Sequence, residues 1–279
     1  MTRAALFPCL LLLALAACDR DRGAPATPDS PDGVDIATGT TAAVPPMLED
    51  VVESTPRYII GITYPGNASR YPALAAELQA YATAARKELM TAVEGLGDDR
   101  PTAPYDLSLS FTELMDTPQV YAVAVDGTSY TGGAHGAPLV ARFVWLPARE
   151  EMLTAQRLMT GPDGWAAVSR FVREQLQTAL SQRIDANGIA PEDRAELFRT
   201  GSGMIAAGTE PRAAMFAQFE PIAGEGGRLS GLRFVFPPYQ VGPYSDGTQT
   251  VEVPAAILLP HVAPAYRGLF QVEAPAATG

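Results

Sequence analysis

Thiols are nearly absent from this chain. Its 279 residues include two cysteines, Cys9 and Cys18, both within the first eighteen positions. A disulfide framework is therefore excluded for the rest of the chain, and so is a thiolate metal site. Histidine is as scarce, with His135 and His261 alone. Two imidazoles without thiols do not make a zinc centre, and no HExxH stretch is present, so no metal and no cofactor are expected. No GxSxG stretch supplies a nucleophile, so no catalytic residue is assigned. Positive charge is in deficit: 20 basic residues stand against 31 acidic ones, and Lys87 is the only lysine. Such a surface repels nucleic acid and attracts basic partners in a salt-dependent way.

Long apolar runs are missing too. The longest, Ala4–Ala17, follows the single basic residue Arg3 and is too short to span a bilayer. It has the layout of a secretory signal over residues 1–17. Its end, Leu15-Ala16-Ala17-Cys18, resembles the bacterial lipobox, which implies lipid on Cys18 and a chain held on a membrane surface of the cell envelope. Removing Arg3 with the signal takes the formal charge from −11 to −12. Asp19 resembles an inner-membrane retention signal, and the periplasmic side of either membrane stays open. Residues 18–50 are rich in Pro, Ala, Thr, Gly and Asp, with few large apolar side chains. They are expected to form a disordered tether of roughly 30 Å average span, and about 100 Å when stretched.

Folded structure is expected from "RYIIGITYPG" onward, where Tyr58, Ile60 and Ile62 alternate as in a strand. Leu74, Leu78, Tyr81, Ala85, Leu89 and Val93 then step by four and three, the stripe of a helix, with Pro72 suited to its first turn. Strands are expected in "YDLSLSFTEL", "QVYAVAVDGTSYTGG" and "APLVARFVWLP", with Asp126-Gly127 as a turn. A second helix follows from Trp165, Val168, Phe171, Val172, Leu176, Ala179 and Leu180, and a short one over "PEDRAELFRT". "AAMFAQFEPI", "GRLSGLRFVFPPY" and "TQTVEVP" read as strands. The expected fold is α+β in two small associated parts, residues 51–147 and 148–270, each a helix on a mostly antiparallel sheet, with a tail over 271–279. No repeat of solenoid or propeller length is present.

Two stretches stand out. In "YTGGAHG", Gly132, Gly133 and Gly136 surround His135 between two strands. The glycines suit a bent loop, and His135 is expected to fix that bend by packing or hydrogen bonding. His261, in "LLPHVAP", is read as a surface or packing residue. In "FVFPPYQVGPYSDGTQTVEVP", Pro237 and Pro238 remove two backbone donors and force an extended path. Tyr239 and Tyr244 follow, and Ser245-Asp246-Gly247 turns into the last strand. Rigid prolines with tyrosines form a binding surface at low entropic cost, so Pro237, Pro238, Tyr239, Tyr244 and Asp246 are the candidate partner contacts. The alternative, that both rings only pin the loop to the core, stays open.

Together these motifs resemble a paired-domain family of bacterial envelope proteins over roughly residues 50–265. It includes lysozyme-sensing anti-sigma factors and the non-catalytic extracellular part of certain peptidoglycan deacetylases. The resemblance implies a two-part α+β fold and, as in the anti-sigma relatives, an extracellular region that binds lysozyme. This chain departs from them in having neither a transmembrane helix with a sigma-binding segment nor a deacetylase catalytic domain. The expectation is a non-enzymatic, lipid-anchored envelope protein that binds a basic partner such as a lysozyme-like muramidase, or peptidoglycan. A cell-wall glycan hydrolase using His135 with a carboxylate such as Asp246, and an assembly accessory without a ligand, are the rivals.

Overall fold

The structure, a computed structural model, describes residues 47–271. The expected signal peptide, Cys18, nearly all of the expected tether and all of the tail beyond Gln271 lie outside these residues. A six-stranded sheet runs in chain order through β1 (Val51–Ser54), β2 (Tyr58–Thr63), β3 (Tyr105–Asp116), β4 (Tyr121–Tyr130), β5 (Ala137–Leu146) and β6 (Glu151–Met152). Every neighbouring pair is antiparallel except β2 and β3, which are parallel. Helix α1 (Pro72–Gly95) makes the crossover that a parallel pair requires. After β6 come α2 (Ala155–Leu158), α3 (Pro162–Ala186) and α4 (Pro191–Gly208). An antiparallel three-stranded sheet follows, of β7 (Phe219–Ala223), β8 (Leu229–Phe236) and β9 (Gln249–Pro254), and then α5 (Ala255–Leu258). The architecture is α+β. Among the described residues no helix is long and apolar enough to cross a membrane.

Alternation and helical stripes place the side chains as their periods require. Ile60 and Ile62 of β2, and Leu107, Leu109 and Phe111 of β3, are buried on the face that meets Leu74, Leu78, Leu89 and Val93 of α1. Pro72 occupies the first turn of α1. At its other end Arg57 donates to the carbonyls of Val93 and Gly97 at 2.8 and 2.9 Å, a cation where the helix dipole is negative. A second core gathers Trp165, Val168, Val172 and Leu176 of α3 with Phe216, Phe219, Phe234 and Phe236. Trp165 stacks on Phe216 at 5.3 Å, and Phe216 meets Phe234 edge-on at 5.4 Å.

The two cores share a wall. Tyr121 to Val125 of β4 are buried without interruption, the pattern of a strand covered on both faces. Tyr121, Val123 and Val125 join the core under α1, whereas Ala122 joins the core under α3.

Across this wall runs a chain of charges. Arg142 of β5, its side chain 6% exposed, donates from Nε to Glu220 of β7 at 2.7 Å. Its Nη1 reaches the carbonyls of Val125 and Ala141, and Nη2 reaches Asp126 at 3.1 Å. The backbone N–H of Arg142 donates to Gln218 at 2.7 Å. Arg233 of β8 holds the second oxygen of Glu220 at 3.1 Å and bonds Glu252 of β9 at 2.6 Å.

Four local expectations are corrected. Asp126-Gly127 is not a turn but lies within β4, opposite Ser110 and Leu109. A Cβ on Gly127 would sit 2.0 Å from the carbonyl oxygen of Ser108, so this glycine serves close strand approach. Helix α4 continues eight residues past Thr200, because Gly201 lies against Leu180 of α3, where a Cβ would be 2.7 Å from Cδ2. Ala213–Phe216 forms a 3-10 turn rather than a strand, and β7 starts at Phe219. Ala179, placed on the apolar stripe of α3, is exposed.

Two stability predictions follow from these contacts. Glu220→Ala would leave Arg142 buried with an unpaired Nε, and should destabilise the protein by about 3–5 kcal/mol. Urea unfolding measures this, and a loss below about 1 kcal/mol would mean the joint is dispensable. The second concerns acid. Hydrogen bonding to Arg86 holds the Glu53 carboxyl below its ordinary value, and Arg149, Tyr266 and Arg157 do the same for Glu151. Both carboxyls therefore contribute stability that is complete above the unfolded-chain pKa near 4.3 and lost as pH falls through their folded values. Burial raises the Asp106 carboxyl, which acts in the opposite sense. Unfolding free energy measured from pH 7 to pH 3 should fall less steeply in Glu53→Gln/Glu151→Gln than in the parent chain.

Candidate functional site

The hairpin between β4 and β5 is closed by residues 131–136. Gly132 and Gly133 have φ of 101° and 96°, values that side-chain-bearing residues rarely adopt, which is why two glycines stand there. They turn the chain so that His135 projects from the tip and is exposed.

The second loop leaves β8 at Phe236. Pro237 and Pro238 carry the chain outward, and Gln240 N–H closes a turn on the carbonyl of Pro237 at 3.1 Å. Tyr239 takes φ of 73°, one of two positive values among described residues other than glycine. Its N–H bonds the carbonyl of Gly242 at 3.0 Å. The Gln240 amide pins the loop to the end of α4, donating to the carbonyls of Gly208 and Met215 at 2.9 and 2.8 Å. Gly208 has no room for a Cβ, which would lie 1.9 Å from the Gln240 carbonyl oxygen.

The two loops meet. The His135 ring stacks on Tyr244 with centroids 4.0 Å apart and planes at 17°. Tyr239 Oη lies 3.1 Å from His135 Nε2, and His135 Nδ1 lies 3.1 Å from the carbonyl oxygen of Gly136. A carbonyl only accepts, so Nδ1 carries a proton, and in the neutral ring Nε2 accepts from the tyrosine hydroxyl. Tyr239 and Tyr244 complete a triangle, with centroids 5.6 Å apart. Half-buried Tyr244 is the base of this cluster, and Tyr239, 55% exposed, is its outer wall.

Asp246 takes another direction. Its carboxylate pairs with Arg183 of α3 at 3.1 Å, and the His135 ring bonds Tyr239 and Gly136 rather than a carboxylate. His135 and Asp246, the pair named as an example for the hydrolase alternative, are therefore engaged with other partners in this structure. Among the described residues no group of three His, Cys, Asp or Glu side chains is placed to hold a metal ion. His261 is half-buried against Gly164, where a Cβ would lie 2.8 Å from its own Cβ; it packs.

Sequence reasoning missed Arg183 and Gln240, and it missed a cleft of about 330 Å³ beside the same loop. Arg183 sits on an amphipathic helix with nothing to distinguish it. Gln240 stood inside the quoted motif and could have been picked out as the one glutamine between Phe236 and Gly247. The cleft lies between α3 and α4 and is walled on one side by Val241, Gly242, Pro243 and Asp246.

No curated protein matches the chain. Solved structures similar to it include two DUF3298 proteins. A DUF3298 family member from Bacteroides fragilis has 16% identity and a TM-score of 0.48, over 79% of this chain and 94% of that one. A DUF3298 family protein from Pseudomonas aeruginosa has 13% identity and a TM-score of 0.48, over 81% of this chain and 96% of that one. The family model described as "Protein of unknown function (DUF3298)" matches residues 229–256, the segment that runs from β8 through the Tyr239–Tyr244 loop to β9.

Proposed function

We propose that the protein is a non-enzymatic binding protein of the bacterial cell envelope, anchored by lipid on Cys18, that recognises a basic, lysozyme-like muramidase. Tyr239, Tyr244 and His135 form the contact face, with Pro237 and Pro238 holding it out. The observation that carries this reading is the backbone of Tyr239. A non-glycine residue at φ of 73° costs roughly 1–3 kcal/mol, and such strain persists where function requires it. Burial gives no reason for the tyrosine, since the residue is more than half exposed. Both loops are ordered by their own hydrogen bonds, so little entropy remains to be lost on binding. The chain's formal charge of −11 favours encounter with a basic partner. Peptidoglycan is the second reading, favoured by the exposed tyrosine ring, whose apolar face suits a sugar.

Replacing Tyr239 by Gly separates binding from folding. Relief of strain offsets the entropy of the new glycine, so stability should stay within about 1 kcal/mol of the parent. Affinity for lysozyme, read by surface plasmon resonance, should fall about thirtyfold or more, chiefly through faster dissociation. Added salt should instead slow association. Unchanged affinity in Tyr239→Gly combined with Tyr244→Ala would remove this face from recognition. Co-sedimentation with purified peptidoglycan, lost in the same variant while lysozyme fails to bind, would favour the second reading.

His135→Gln keeps a ring-sized polar group at an exposed position, so its melting temperature should match the parent's. Incubation of the parent with peptidoglycan fragments should yield no products. Turnover that disappears in His135→Gln would replace the binding reading with the hydrolase.

A further inference from the structure

Helix α4 is packed over only part of its length. From Gly201 onward it is held: Gly201 lies against Leu180, Ile205 is buried, and Gly208 meets the Gln240 carbonyl. Its first ten residues, Pro191–Thr200, are exposed except for Arg194. Leu197 falls one turn before Gly201 on the same helix face, yet it remains 44% exposed. A helix face that carries leucine and stays wet lacks part of its packing partner. The missing volume is the cleft of about 330 Å³, bounded by Leu180, Ile184, Ile189, Leu197, Met204 and Val241. That volume is at the lower end of the range for small-ligand sites.

The rim decides what kind of molecule fits. Arg183 and Asp246 both border the cleft, and they neutralise each other at 3.1 Å. Their pairing leaves no net charge for an ionic headgroup to meet. Asn187, also on the border, offers a donor and an acceptor, and Thr200 offers an acceptor, since its hydroxyl donates to Glu196 at 3.3 Å. An apolar floor beneath a neutral rim of donors and acceptors matches an uncharged amphiphile. A charged analogue would have to lose solvation without gaining a counter-ion.

We infer that the cleft between α3 and α4 is a binding site for a small uncharged amphiphile, an alkyl or aryl group bearing a hydroxyl or amide. The apolar part lies between Leu180, Ile184 and Leu197, and the polar group meets Asn187, Thr200 and the Arg183–Asp246 pair. This site is distinct from the aromatic face and does not depend on the muramidase reading. One wall is the back of the same loop, through Val241, Gly242 and Pro243.

Methyl-resolved NMR titration of residues 47–271 within the full chain tests the site, with 1-octanol, octanoate and octylammonium as probes. Octanol should produce saturable shifts at Leu180, Ile184, Ile189, Leu197 and Met204, and both ions should bind about tenfold more weakly or worse. Leu197→Trp puts a larger ring into the cleft from an exposed position that tolerates it, and should abolish the octanol shifts without lowering the melting temperature. Should that variant lose its fold, Thr200→Val, which removes a rim hydroxyl, supplies the second reading and should weaken octanol. The Tyr239→Gly/Tyr244→Ala variant should still give saturable octanol shifts, so a failed muramidase reading leaves this result standing. Shifts scattered over the surface without saturation would overturn the proposal. Octanoate binding as tightly as octanol, or octanol binding unchanged in both Leu197→Trp and Thr200→Val, would also overturn it.

Discussion

Arg142 and Glu220 lie where two sheets and two cores converge, and desolvating both charges is tolerable only because nearly every polar atom of the pair is used. The guanidinium donates to Glu220, to Asp126 and to the carbonyls of Val125 and Ala141. Glu220 in turn accepts from Arg233. A pair of this kind adds little to stability compared with an apolar substitute, but it tolerates no sliding, because any shift strands a buried charge. It therefore fixes how β5 meets β7. The hairpin tip that carries His135 precedes β5 in sequence, and the loop that carries Tyr239 extends from β8, the neighbour of β7. The pair thus sets where both loops must come together.

The aromatic cluster uses that placement. His135 and Tyr239 stand 104 residues apart and meet at 3.1 Å, a distance that a shift of one strand step would destroy, since each residue of strand advances the chain by about 3.3 Å. Strain at Tyr239 is held by anchors that do not involve its ring: the Gln240 amide on Gly208 and Met215, and the backbone bond to Gly242. Anchoring through a neighbour leaves the tyrosine ring free to face solvent. Packing alone would have turned it inward, as it does for Tyr121, fully buried and bonded to Glu113 at 2.9 Å.

Much of this was legible in the sequence, and the reasons for the rest are specific. Period-two and helical stripes placed β2, β3, α1 and α3, because burial of one face leaves a local record. The uninterrupted apolar run of β4 was read as a strand, but its meaning, coverage on both faces, depends on elements far away in sequence. Asp126-Gly127 has the composition of a hairpin turn and lacks the function, because the glycine answers to a carbonyl on the neighbouring strand rather than to its own φ. Both loops could be recognised as unusual. Their meeting could not, since no periodicity encodes contact between residues 104 apart. Arg142 did leave a trace: a lone charge inside "APLVARFVWLP" has to find a buried partner.

The loop of residues 237–247 therefore faces two ways. Its tyrosines stack with His135 at the surface, and Val241, Gly242, Pro243 and Asp246 wall the cleft behind. Gly242 fits closely between the Gln249 and Asp246 side chains, which a Cβ would approach to 2.6 and 2.9 Å. A side chain at that point would push one of them aside. Occupancy of the cleft would hold Asp246 on Arg183 and narrow the positions open to Tyr244 two residues earlier. Coupling of this sort needs no second conformation, because ordering a shared wall once lowers the cost of ordering it again. It is also reciprocal: whatever the cleft ligand does for the aromatic face, a partner on that face does equally for the cleft.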